Sequence, residues 1–138
     1  MNVSEVMTRD VKIASPEDTL QHAAQMMEDI DAGVLPIAEK DRLVGILTDR
    51  DITLRAVARG KVPGTCKVRE VMSSSIKYIY DDETVESAAK NMGELQIRRL
   101  PVLDRKKRLV GIVSLGDLAL RNAASAGKAL KGVSQSSG

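Results

Sequence analysis

The chain has 138 residues, enough for a compact fold with a true core, and its 21 basic and 19 acidic side chains leave a net charge of +2. That near balance excludes the electrostatic footprint of a bulk nucleic-acid or membrane binder. With no Trp, no Phe and only two Tyr, the core must be aliphatic and stacking on nucleobases has little to work with. A single Cys66 excludes an internal disulfide, and one Cys with one His22 makes a poor transition-metal ligand set. The N-terminus is not signal-like and no apolar run is long enough to span a bilayer, so a soluble, cytoplasmic protein is expected.

In chain order, a short turn or helix around Val6-Met7 leads to a strand near Val11–Ala14. Ser15-Pro16-Glu17-Asp18 breaks that strand, and Thr19 is a candidate helix N-cap. Leu20, Ala23, Ala24, Met27 and Ile30 then fall on one helical face, as expected of a helix packed on a sheet. Val34–Ala38 and Leu43–Thr48 read as two strands joined by the polar turn Glu39–Arg42. Pro36 lies inside the first of them, so that strand should be an edge, or the proline should face away from pairing. A second helix is expected over Asp49–Ala58, and Gly60–Lys67, with its Pro63-Gly64, is a connector.

Beyond the connector the chain repeats itself. Val3, Glu5, Val6, Met7 and Lys12 recur as Val68, Glu70, Val71, Met72 and Lys77, an offset of 65. Thr19, Ala23, Ala24, Met27 and Pro36 recur at the same offset as Thr84, Ala88, Ala89, Met92 and Pro101. One extra residue in the second polar turn makes the offset 66, and Arg42-Leu43-Val44-Gly45-Ile46 returns as Arg108-Leu109-Val110-Gly111-Ile112. A fixed offset carrying core and polar identities together is the mark of duplication. The expected organisation is a first repeat over 1–60, a connector over 61–67, a second repeat over 68–123 and a flexible tail over 124–138. Each repeat reads β-α-β-β-α, giving an α+β fold in which the two copies pack about a pseudo-twofold axis. One copy of this size buries too little apolar surface to be comfortable alone.

The most informative stretches are Leu43 to Ile52 and Leu109 to Leu118. In each, an apolar run ends in a hydroxyl residue, Thr48 or Ser114, and an Asp stands three positions later, Asp51 or Asp117. One reading is structural: hydroxyl-x-x-Asp at a strand-to-helix corner is a capping box. The other is functional. A helix N-terminus suits a phosphate, an acidic side chain beside it can accept ribose hydroxyls, and Arg50, Arg98 and Arg99 offer bidentate partners for an anion. The two readings are compatible. No Walker-type loop, metal-ligand cluster or nucleophile–base pair points to an enzyme.

The chain resembles a tandem pair of CBS domains, a regulatory module, and is most similar to stand-alone bacterial CBS-pair proteins. The resemblance rests on the Val-Met-Thr/Ser lead-ins, Leu35-Pro36-Ile37 and Leu100-Pro101-Val102, and both Leu-Val-Gly-Ile strands with their hydroxyl-x-x-Asp ends. It covers about Val3 to Arg121. It implies a non-enzymatic sensor that binds an adenosine-containing ligand (AMP, ADP, ATP, NAD or S-adenosylmethionine) and signals to a separate protein target, as a homodimer. Carried over by resemblance, one site combines Ile46, Thr48, Arg50 and Asp51 with Ser75, Ile76, Lys77, Ile97, Arg98 and Arg99. The other combines Ile112, Ser114, Gly116 and Asp117 with Asp10, Val11, Lys12, Ala32, Gly33 and Val34. With all three arginines at the first, that site is expected to take the tighter, phosphate-bearing ligand. The alternative function is a structural or interaction scaffold whose corners are merely capped.

Overall fold

The computed structural model describes residues 1–121, with side chains through Ala119; the expected tail over 124–138 lies outside the described residues. The chain divides into two compact units, one formed by Lys12–Ile76 and the other by Met1–Val11 together with the chain from Lys77 onward.

In the Lys12–Ile76 unit, α1 (Leu20–Ile30) starts at Thr19, whose Oγ1 accepts from the His22 N–H at 3.1 Å. It buries Leu20, Ala23 and Met27. The face is narrower than the periodicity predicts: Ala24 and Ile30 are exposed, and Met26 supplies the additional packing. β1 (Val34–Glu39) and β2 (Arg42–Thr48) form an antiparallel hairpin, and α2 (Asp49–Arg55) begins at once after it. The helix is shorter than expected, because Ala56 leaves helical geometry and a 3-10 turn over Val57–Arg59 ends at Gly60 in the left-handed region. The strand expected near Val11–Ala14 shrinks to one parallel bridge from Ala14 to Ile37. Pro16, two residues on, is buried where the chain turns toward α1. The core gathers Leu20, Leu35, Ile37, Leu47, Val68 and Val71, with Cys66 sealed among them.

The other unit repeats this plan. β3 (Ile79–Tyr80) lies parallel to β4 (Arg99–Leu103), which is antiparallel to β5 (Leu109–Ser114), with α3 (Val85–Leu95) between β3 and β4 and α4 (Leu115–Arg121) after β5. β4 is therefore a central strand, against the edge placement that Pro101 suggests. The proline is tolerated because β3 joins β4 only from Val102 onward. Ile79, Val85, Met92, Leu100, Val113 and Leu118 are fully buried here.

Each unit is completed by a lead-in segment that the duplication assigns to the other copy. The Val3 N–H donates to the Glu83 carbonyl at 2.8 Å, and Val3, Val6 and Met7 enter the core of the second copy. In matching fashion the Val68 N–H donates to the Asp18 carbonyl at 2.8 Å, and Val68 and Val71 enter the core of the first. Glu17 adds ion pairs to Lys67 at 2.8 Å and Arg69 at 2.9 Å. The Lys67 hydrogen bond, with both cations nearby, holds the Glu17 carboxyl below its ordinary range.

Candidate functional site

The corners are built by the strands that feed them. β2 carries Thr48 out of a buried run, and the chain turns directly into α2. The Asp51 N–H donates to Thr48 Oγ1 at 3.0 Å, and the Thr48 N–H donates to Asp51 Oδ2 at 2.9 Å. The second corner does the same: Asp117 N–H to Ser114 Oγ at 3.2 Å, and Ser114 N–H to Asp117 Oδ2 at 2.9 Å. Both capping boxes are complete, as the structural reading of the motif expects. All four side chains are half-buried, neither sealed in the core nor fully in solvent. One backbone bond does not exhaust a carboxylate with several acceptor positions.

The lead-in segments reach these same strands. Ser73 and Ile46 exchange two backbone hydrogen bonds, each 2.9 Å, and Thr8 and Ile112 exchange two of 2.8 and 3.0 Å. Each unit thus holds a corner from one copy and a lead-in from the other. Ser75 and Ile76 belong to the unit of Ile46, Thr48, Arg50 and Asp51, and Asp10 and Val11 to that of Ile112, Ser114, Gly116 and Asp117. Lys12 and Lys77 fall just past the division, each in the unit of its own copy.

Within a unit, the segments before the Leu-Pro pairs sit at the corner of their own copy. The Ala32 N–H closes onto the Met27 carbonyl and the Ile97 N–H onto the Met92 carbonyl, which turns each chain out of its helix toward the hairpin. The Gly33 carbonyl then accepts from the Asp49 N–H at 2.9 Å, and the Arg98 carbonyl from the Leu115 N–H at 3.0 Å. Val34 stands opposite Thr48 and Arg99 opposite Ser114, so each pair projects from one face of its hairpin. Arg50, Arg98 and Arg99 are exposed. The Asp49 carboxylate precedes Arg50 and lies against Gly33, so the first corner holds both signs of charge.

Sequence reasoning missed Thr8 and Ser73, which tie β5 and β2 to the lead-ins. The available signal was the glycine inside each apolar run. A Cβ on Gly45 would stand 2.6 Å from Met72 Sδ and 3.1 Å from the Ser73 carbonyl, and one on Gly111 would stand 2.6 Å from Met7 Sδ and 2.9 Å from the Thr8 carbonyl. Glycine in a strand interior marks such close approach.

No three His, Cys, Asp or Glu side chains among the described residues are grouped to hold a metal. Among those residues, no helix is long and apolar enough to cross a membrane.

The sequence matches the CBS domain family twice, over residues 3–57 and 68–122. It is 43% identical over 135 residues to the CBS domain-containing protein YhcV of Bacillus subtilis, covering 96% of this chain and 95% of that protein. Its fold is similar to the crystal structure of Hypoxic Response Protein I with two coordinated zinc ions, with TM-score 0.80, 37% identity, and coverage of 88% of this chain and 98% of that one. It is also similar to the CBS domain pair of protein MJ0100, solved in complex with 5-methylthioadenosine and S-adenosyl-L-methionine, with TM-score 0.76, 27% identity, and coverage of 90% and 97%. Two matched domains, two compact units of one plan and two capped strand-to-helix corners agree, and the chain belongs to the CBS-domain family as a tandem pair.

Proposed function

We propose that the protein is a non-enzymatic regulatory module that binds an adenine nucleotide (AMP, ADP, ATP or NAD) at its two hydroxyl-x-x-Asp corners, in clefts between the repeats, and signals the occupied state to a partner protein. The observation that carries this is the pair of half-buried carboxylates, Asp51 and Asp117, each fixed by a capping box at the end of a strand tied to the opposite lead-in. A rigid, part-shielded carboxylate with spare acceptor capacity suits the two hydroxyls of a ribose. The adenosine ligands of the MJ0100 pair, a structural neighbour, support the ligand class. A ligand can shift the module only by as much as it prefers one state over the other, so the signal requires differential affinity.

The completeness of both capping boxes favours a second reading, in which the corners are structural and the protein is an interaction scaffold. Calorimetry and thermal unfolding with AMP, ADP, ATP, NAD and S-adenosylmethionine separate the two. The sensor gains about 2.7 kcal/mol of stability at a ligand concentration a hundredfold above Kd. No heat of binding and no thermal shift with any of them leaves the scaffold.

The Asp51 site is expected to take the tighter, phosphate-bearing ligand, because by resemblance it is the one that gathers Arg50, Arg98 and Arg99, all of them exposed. Calorimetry of Asp51→Ala and Asp117→Ala tests this: each should weaken its own site by about ten- to a hundredfold, and tighter binding at the Asp117 site would overturn the asymmetry.

A further inference from the structure

The only two aromatic side chains of the protein lie two residues apart, away from both corners in sequence. Tyr78 precedes the edge strand β3 and Tyr80 ends it, with their rings 5.5 Å apart in an edge-to-face arrangement. Arg105 lies over the Tyr80 ring, 4.1 Å from its centroid, and is held there by Asp82 through two hydrogen bonds of 2.8 and 2.9 Å. Tyr78 is 37% exposed. Its hydroxyl is held below the ordinary phenol range, first by a hydrogen bond with Tyr80 and then by the nearby Lys107 ammonium. The turn that carries Arg105, Lys106 and Lys107 is the one place where the second copy has a residue more than the first. The first copy has Ile13 and Ser15 where the second has the tyrosines. The added turn residue and the two added aromatics therefore meet on one surface.

From this we infer that Tyr78, Tyr80, Arg105 and the Lys106-Lys107 turn form a docking surface for an acidic segment of a partner protein, in which an apolar side chain covers the Tyr78 ring and carboxylates face the two lysines. Arg105 and Arg108 are already paired, with Asp82 and Asp104. The cations left for a partner are Lys106 and Lys107, both exposed in the turn, with Lys107 beside the Tyr78 hydroxyl, and a short segment with a few carboxylates complements them there. Asp81, Asp82, Glu83 and Asp104 balance the turn's charge over the wider surface, so the attraction is confined to the two lysines and suits a short segment rather than the continuous charge of a nucleic-acid backbone. Tyr with a pre-set Arg is the pairing on which interface energy concentrates, because little side-chain freedom remains to be lost on binding. The surface lies within one unit and does not depend on nucleotide binding.

The test is titration of the isotopically labelled full chain, monitored by amide NMR shifts, with a short synthetic peptide alternating glutamate and leucine. Controls are the same peptide with lysine for glutamate, and oligothymidylate. Shifts confined to residues 77–83 and 104–108 are expected with the acidic peptide alone. Lys106→Glu and Tyr78→Ser, both at exposed positions, should each weaken binding about tenfold while leaving the rest of the spectrum unchanged. Shifts elsewhere, no shifts, unchanged affinity in both variants, or equal binding of oligothymidylate at these residues would each overturn the proposal.

Discussion

Thr48 and Asp51 each cap the other: the Asp51 N–H donates to the threonine hydroxyl at 3.0 Å and the Thr48 N–H donates to the carboxylate at 2.9 Å. The residues proposed to bind a ribose thus also start a helix, and one substitution can act in two ways. Thr48→Ala removes the side-chain acceptor for the first turn and should cost about 1 kcal/mol of stability without any ligand. Thr48→Ser keeps the acceptor and should cost much less. Chemical denaturation of the ligand-free protein measures both. Equal losses for the two would show that the hydroxyl does not support the helix.

Gly45 and Gly111 make a sharper comparison. Alanine at either meets a methionine sulfur at 2.6 Å, but at Gly111 it also meets the Thr8 carbonyl at 2.9 Å, whereas at Gly45 the Ser73 carbonyl is 3.1 Å away. A flexible thioether can swing aside and a paired backbone cannot. Gly111→Ala should therefore be the more destabilising, within the roughly 1–3 kcal/mol typical of overpacking. Shortening Met72 to Ala alongside Gly45→Ala should recover part of the loss, while Met7→Ala should not rescue Gly111→Ala. Thermal unfolding of the four variants decides it.

These glycines also show what the sequence could and could not reveal. The duplication, both hairpins, Thr19 as a cap and the two corner motifs were legible because each is a local pattern: alternation, a hydroxyl before a helix, an offset. The crossed placement of Val3-to-Met7 and Val68-to-Met72 was not, because the pairing of Thr8 with Ile112 spans most of the chain and leaves no periodic trace. Only Gly111 inside an apolar strand hinted at it. The strand over Val11–Ala14 failed for a related reason. β-branched residues supplied propensity, but the segment's β-bridge is made by Ala14, and Ile13 faces solvent at 40% exposure. The same holds for Ala24: helical spacing placed it on the apolar face, where its counterpart Ala89 is buried, yet it is exposed. At the corners the hydroxyl and the Asp were readable, whereas which arginine faces which hydroxyl depended on strand register, which puts Arg99 opposite Ser114.

Val3 tests the crossed lead-in directly. It is fully buried in the core built around Leu100 and Val113, and its N–H is bonded to Glu83. Val3→Ala should cost roughly 1.5–3 kcal/mol, the value of burying such a side chain. The loss should fall on the second copy: amide exchange should quicken in β4, β5 and α3 before it does in β1 and β2. Faster exchange in the first copy instead would assign the lead-in to its own repeat.

Cys66 gives a prediction with a pH signature. The thiol is 6% exposed, packed with Leu20, Val68 and Val71, and its carbonyl accepts the Leu20 N–H at 2.9 Å. Burial, assisted by the nearby Glu70 carboxylate, pushes the thiol pKa up. Thiolate is the reactive species, so a thiol reagent should modify the native protein far more slowly than the unfolded chain at the same pH. The sign of the stability effect is set by which state holds the proton more tightly. Above the ordinary thiol range the unfolded chain has released its proton and the folded chain has not. This group's contribution is therefore complete below that range and is lost as pH rises through the folded value. Cys66→Ser, placing a hydroxyl in the same pocket, should abolish that alkaline component while lowering stability at neutral pH. Denaturation measured from neutral to alkaline pH for both proteins checks it, and an unchanged alkaline slope in the variant would assign the loss to the lysines and tyrosines instead.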